Sequence, residues 1–172
     1  DWDGALPRNL FFYFADNPLV TRDDIFATFW PTLSIKEATN VFHVTKRKIS
    51  ERVSVKIGDG ENYEVTQYSS GFYMPGNKIA RHYDVGDFQE AVDQATISQD
   101  PREEERLYRQ AVALYSSPFL ETIKMPWVIE RRAHLAQLYS QTLIGLGRIH
   151  NRRKESREAL GFFTRALKQS PK

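Results

Sequence analysis

The chain of 172 residues contains no cysteine. That excludes disulfide scaffolds and thiolate metal sites, and it fits a reducing compartment, so a cytoplasmic protein is expected. No apolar run approaches membrane-spanning length and no signal peptide is recognisable, so no membrane partner is expected. Neither charge dominates: 24 Lys and Arg stand against 22 Asp and Glu, a formal net charge of +2. The balance supplies no whole-chain case for nucleic acid, so any basic surface has to be local. The four histidines, His43, His82, His134 and His150, lack metal-ligand spacing, and there is no HExxH, Walker or dinucleotide loop. With no nucleophile and base pair either, the sequence points away from an enzyme and from any cofactor.

What is present is globular. A hydrophobic share of 41% with 13% aromatics is enough to bury substantial cores, in one large domain or two small ones. Charge is unevenly spread. Up to Pro75 there are 8 Lys and Arg against 10 Asp and Glu, and from Gly76 onward 16 against 12. Within the slightly acidic first part, Lys36 to Lys56 nevertheless holds Lys36, Lys46, Arg47, Lys48, Arg52 and Lys56 against only Glu37 and Glu51. The opening residues DWDGALPRNL begin abruptly and read as a piece of a longer protein.

The most informative stretch is Ser34 to Val53, SIKEATNVFHVTKRKISERV. Ser34 with Glu37 makes a capping box, and Ala38, Phe42, Thr45, Ile49 and Val53 recur at helical spacing as an inward face. The opposite face carries Lys36, Asn40, Val44, Arg47 and Lys48, with His43 at its edge. Arg47 has the donors for a bidentate guanine contact and Asn40 the donor and acceptor for adenine, and a separation of seven residues puts both on one face. Val44 between them can touch a thymine methyl. His43 can reach a phosphate or base, or be structural. Lys46, near the apolar side, is expected to snorkel toward the DNA backbone. Lys48, Arg52 and Lys56 offer phosphate contacts, and Glu51 would repel phosphate. An ordinary solvated helix face has the same composition, so the helix alone leaves both readings open.

Before it, Arg8 to Ala15 reads as an apolar helix ended by Asp16-Asn17-Pro18. Its Phe11, Phe12, Tyr13 and Phe14 look like core, although not all four can be buried. Thr21 can cap a second helix with Asp23 and Asp24 in its first turn, and Pro31 stops it. After the third helix, Val53 to Ile57 alternates like a strand and Gly58-Asp59-Gly60 turns. Tyr63 to Tyr68 and Phe72 to Met74, joined at Ser69-Ser70-Gly71, read as a hairpin. Three helices with a tight turn, then a hairpin, is the order of a winged helix-turn-helix.

Gly76 to Tyr83 looks like a linker, and the remainder is helical. Asp84 or Asp87 can cap a helix over Phe88 to Ser98. Asp100-Pro101 starts another, with Leu107, Ala111 and Leu114 as its stripe, broken at Ser116-Ser117-Pro118. Pro126 opens a long helix with Trp127 as a core anchor, and a last helix runs from about Lys154 to Gln169. Leu143, Leu146, Gly147, Ala159, Phe163, Ala166 and Pro171 fall at the spacing of a tetratricopeptide (TPR) repeat. His150 takes a position where an aromatic is usual, and Asn151 to Lys154 replace a glycine turn. Arg148, Arg152, Arg153, Lys154 and Arg157 form a basic cluster near this turn, which reads first as a solvated surface.

On these residues the chain resembles two bacterial families in tandem. Residues 8 to 75 resemble the winged helix of OmpR/PhoB-type response regulators. Residues 81 to 172 resemble the bacterial transcriptional activator domain, through AVALYSSPFL (Ala111 to Leu120), Pro126-Trp127-Val128 followed by Arg131 and Arg132, and the terminal repeat. The pairing is similar to antibiotic-regulatory-type activators. It implies a mostly α fold: a winged helix-turn-helix over 1–76, then an all-α TPR-like array over 77–172. The implied partners are double-stranded DNA through Lys36, Asn40, His43, Val44, Arg47 and Lys48, and RNA polymerase, another protein or a second protomer through the helical domain. Two features depart from the pattern. Only DWDGALP precedes the first helix, so the β-sheet usual before it is missing or lies upstream, and the wing between Val65 and Pro75 has no Lys or Arg. The alternative is a TPR-like interaction module whose winged helix does not read DNA.

Overall fold

A computed structural model describes residues 2–169; Pro171 of the repeat signature lies outside them. Among the described residues, helices make up 67%, in seven segments, with one small three-stranded antiparallel sheet. The chain divides into two compact units, Asp1–His82 and Tyr83–Lys172.

The first unit begins with α1 (Ala5–Asp16), which places Leu10, Tyr13 and Phe14 in the core and leaves Phe11 and Phe12 half-buried. A two-residue strand β1 (Val20–Thr21) leads into α2 (Arg22–Phe29). Thr21 and Asp24 cap α2 reciprocally: the Asp24 amide donates to the Thr21 hydroxyl at 3.1 Å and the Thr21 amide to the Asp24 carboxylate at 3.2 Å. α3 (Ile35–Ile57) starts with the same device at Ser34, whose amide donates to Glu37 at 3.0 Å. Ala38, Phe42, Thr45 and Ile49 are buried, and Val53 is half-buried.

α3 continues through Val53–Ile57, where sequence alternation suggested a strand. Five alternating residues cannot separate strand from helix, and the first strong stop is Gly58. Gly58 adopts φ 77° and donates its N–H to the Ser54 carbonyl at 2.9 Å, a left-handed cap that other residues take up at a cost.

The hairpin consists of β2 (Thr66–Ser69) and β3 (Phe72–Pro75), so β2 starts later than the alternation from Tyr63 implied. Ser69 faces Phe72 across Ser70 and Gly71, both at positive φ (51° and 91°), which matches a two-residue I′ turn. β1 pairs with the other side of β3, Val20 opposite Tyr73, giving the order β1-β3-β2. Sequence reasoning missed β1 because two residues carry no period; only the distant hairpin makes them a strand. Gly76 closes the hairpin by donating to the Val65 carbonyl at 3.0 Å. A Cβ there would lie 2.0 Å from the Glu64 carbonyl oxygen, so no larger residue fits without moving backbone.

The second unit contains α4 (Asp84–Ile97), α5 (Pro101–Leu114), α6 (Pro126–Arg152) and α7 (Ser156–Gln169). Tyr83, not Asp84 or Asp87, is the N-cap of α4, and it makes no side-chain cap bond. The two aspartates lie in the first turn, where they oppose the positive helix end. Asp100 caps α5 by accepting from the Arg102 amide at 3.0 Å. One core joins Phe88, Ala91 and Val92 of α4, Ala111 of α5, Leu135, Tyr139 and Leu143 of α6 and Ala166 of α7. A second joins Ala95, Leu107, Tyr108, Leu146 and Ile149. Two glycines let α6 be approached closely: the Tyr108 ring of α5 occupies the Cβ space of Gly145, and the Phe163 ring of α7 that of Gly147. Arg132 ties down the loop before α6, donating to the carbonyls of Phe119, Leu120 and Ile123 at 2.7, 2.6 and 2.9 Å. Trp127 is half-buried and meets Phe119 edge-on at 6.2 Å.

Gly76→Ala is expected to destabilise the chain by about 1–3 kcal/mol through its backbone clash. Gly161→Ala on α7, where nothing lies within 4 Å of the added carbon, should stabilise it by about 0.5–1 kcal/mol through helix propensity. Urea unfolding followed by circular dichroism checks both signs.

Candidate nucleic-acid interface

The rotation of α3 about its axis decides which side chains meet a ligand, and aromatic packing sets it. The Phe42 ring lies 6.4 Å from Phe14, 5.9 Å from Phe26, 6.3 Å from Trp30 and 5.1 Å from Tyr73. With Phe42 turned inward, Lys36, Asn40, His43, Val44, Arg47 and Lys48 are all exposed. They occupy one side of the helix across four turns. Val44 is 48% exposed, so its methyls are available between the amide of Asn40 and the guanidinium of Arg47.

The face is flanked by two grooves. Asn40, Val44 and Lys48 share one with Ala5, Leu6 and Pro7 at the start of α1. His43, Lys46, Arg47 and Ser50 share the other with Asn62, Tyr63 and Glu64. The segment following α3 is pinned there by the Tyr63 amide, which donates to the Ser54 hydroxyl at 2.9 Å, and by the Tyr63 hydroxyl, which donates to Asp59. That hydrogen bond holds the Asp59 carboxyl below its ordinary range.

Two cations of this region are paired within the unit. Lys46 does not reach outward: its Nζ lies 3.0 Å from Glu64 and 5.9 Å from the centre of the Tyr73 ring. Arg47 is exposed, but its Nε sits 3.5 Å from Glu51 one turn on. Glu64 was invisible as a partner because the pair spans the loop. The Arg47–Glu51 spacing of four was available in the sequence.

No protein-family model, curated protein or solved structure matches this chain. Chemistry and geometry therefore carry the functional case. Among the described residues, no helix is long and apolar enough to cross a membrane and no group of three or more His, Asp or Glu could hold a metal ion.

The hairpin offers no cation between Val65 and Pro75, but Tyr68 and Phe72 are exposed on it, a feature the sequence reading passed over. Their ring faces and edges are what the hairpin can present to a partner.

The basic cluster of the second unit is not simply solvated. Arg153 lies 2.6 Å from Glu105 and Arg152 3.2 Å from Glu104, both on α5. Glu105 also takes Arg109 at 2.8 Å and stands 3.8 Å from His150. His150 is buried, stacked on Phe162, with its Nδ1 2.5 Å from Glu155. Arg148, Lys154 and Arg157 remain exposed. Burial pushes the Glu105 carboxyl up, but hydrogen bonds from Arg109 and Arg153, with their charges, outweigh it and leave the group below the ordinary carboxylate range.

A depressed folded-state value means that Glu105 stabilises the chain above its unfolded value, and that this is lost as pH falls through the folded value. The melting temperature of the wild type should therefore drop on acidification below about pH 4.5. Glu105→Gln should start lower at neutral pH and show a shallower acid decline, which thermal melts from pH 6 to pH 3 would measure.

Proposed function

We propose that this chain is a sequence-specific, double-stranded DNA-binding transcriptional regulator of the activator type that its sequence resembles. Its first unit is a winged helix-turn-helix with α3 as recognition helix and β2–β3 as wing. Its second unit is a TPR-like array that contacts RNA polymerase or another protein, or a second protomer. The protein works in the cytoplasm, without cofactor and without catalysis.

One observation carries this reading. A capped helix of 23 residues, entered from a short turn after α2 and followed by a hairpin, turns to solvent a mostly polar face with Val44 at its middle. The residue types on that face match base edges. Arg47 supplies paired donors for guanine, Asn40 a donor and an acceptor for adenine, and Val44 an apolar contact for thymine. Lys36 and Lys48 lie at the two ends of this row and supply charge for backbone phosphates, and His43 adds an edge contact. The major groove admits a helix of this width. The pairing of β1 with β3 supports the wing, because it fastens the hairpin to the segment entering α2.

A second reading has its own support. The hairpin lacks cations and exposes Tyr68 and Phe72, while Leu160 and Leu167 are exposed one above the other on α7. These features suit an interaction module whose first unit does not read DNA.

Selection from random duplexes separates the two: an enriched motif supports the regulator, and none supports the module. On the enriched site, Arg47→Ala should weaken binding by about 1–3 kcal/mol and relax the preference at a single base. A footprint and base preference unchanged in that variant would remove Arg47 from the interface.

A further inference from the structure

The two cations of α3 nearest the loop side are matched by carboxylates from within the same unit. Lys46 is 22% exposed and lies 3.0 Å from Glu64; Arg47 and Glu51 are largely exposed and 3.5 Å apart. Both pairs border one groove, which also holds His43, Asn62 and Ser50. The Ser50 hydroxyl is enclosed and makes no hydrogen bond. The groove thus presents two cations to an entering anion, and both are already engaged by internal carboxylates.

We propose that Glu51 and Glu64 set the selectivity of the α3 face by competing with backbone phosphate for Arg47 and Lys46. This rests on the DNA-binding reading above. A phosphate approaching either cation must displace a carboxylate that then stays nearby and repels it. The displaced pair is exposed at one end or both, so it is weak and exchangeable, and it lowers phosphate affinity without abolishing it. Base contacts suffer less. The Glu51 contact runs to Nε of Arg47, and a guanidinium has five N–H donors, so the head keeps donors for a guanine edge. Sequence-independent attraction is damped while base reading is retained, and the ratio of the two is what a regulator needs on a genome full of competing sites.

The test uses the full chain and three single variants, Glu51→Gln, Glu64→Gln and Glu61→Gln, matched by circular dichroism. Glu61 lies on the same exposed loop, outside the groove, and controls for net charge. Affinity is measured against a random-sequence duplex and against the motif obtained by selection, over a range of salt. Glu51→Gln and Glu64→Gln are each expected to bind the random duplex about twofold to fivefold tighter at low salt. Their log–log salt slope should steepen by about 0.9 for the one cation released. The motif-to-random ratio should fall in both, while Glu61→Gln keeps the wild-type slope. Unchanged slopes in Glu51→Gln and Glu64→Gln, or an equal change in Glu61→Gln, overturn the proposal even where the wild type selects a motif. A wild type that binds no duplex overturns the DNA-binding reading itself, and this inference with it.

Discussion

Phe42 touches rings from α1, from α2 and its C-terminal cap, and from β3, and it is almost wholly buried. Removing a buried phenyl ring costs about 3–5 kcal/mol in proteins generally. Here the ring does more than add stability. It joins three helices and the sheet at one point, so it fixes the angular position of α3 to within a fraction of a residue. A rotation of one position, 100° on a helix, would bury His43 or Val41 in its place and swing the whole row of Asn40, Val44 and Arg47 away from its present side. The proposed reading face is therefore a consequence of core packing on the opposite side.

The second unit shows the same logic with smaller parts. α6 lies between α5 and α7, and its close contacts occur where the side chain is a single hydrogen, at Gly145 and Gly147. Around its C-terminal end, charge takes over. Glu105 gathers Arg109 and Arg153, and Glu104 takes Arg152. The pairs with Arg152 and Arg153 hold α5 to the end of α6 and the turn after it, where Lys154 adopts a positive φ of 62°. Cations that look like a surface patch in sequence thus act partly as ties between helices.

Local signals were the legible ones. Ser34 with Glu37, Thr21, Asp100 before Pro101, and Pro126 each announce a helix start within four residues, and each helix starts there. The inward stripe of α3 was legible because it repeats over about four turns. What could not be read depends on distant partners. β1 exists only through β3, Lys46 meets Glu64 only because that residue returns on the loop, and Arg152 and Arg153 find α5 some forty-eight residues back. The end of α3 failed for another reason: VSVKI satisfies both periods, and Gly58 decides the matter by capping. On the proposed site, sequence supplied the residue types and the helix, while the structure adds their exposure, the flanking grooves and the two carboxylates.

The central claim is that the Val44 side of α3 meets base pairs. Valine-methyl NMR of the full chain, titrated with its selected duplex, tests it most directly. Val44 is exposed on that side, Val65 is buried near the hairpin, and Val128 is buried in the second unit. The account predicts that the Val44 methyl signals shift strongly and saturate with the duplex while those of Val65 and Val128 stay nearly in place. Val44 signals unmoved at saturation would contradict it.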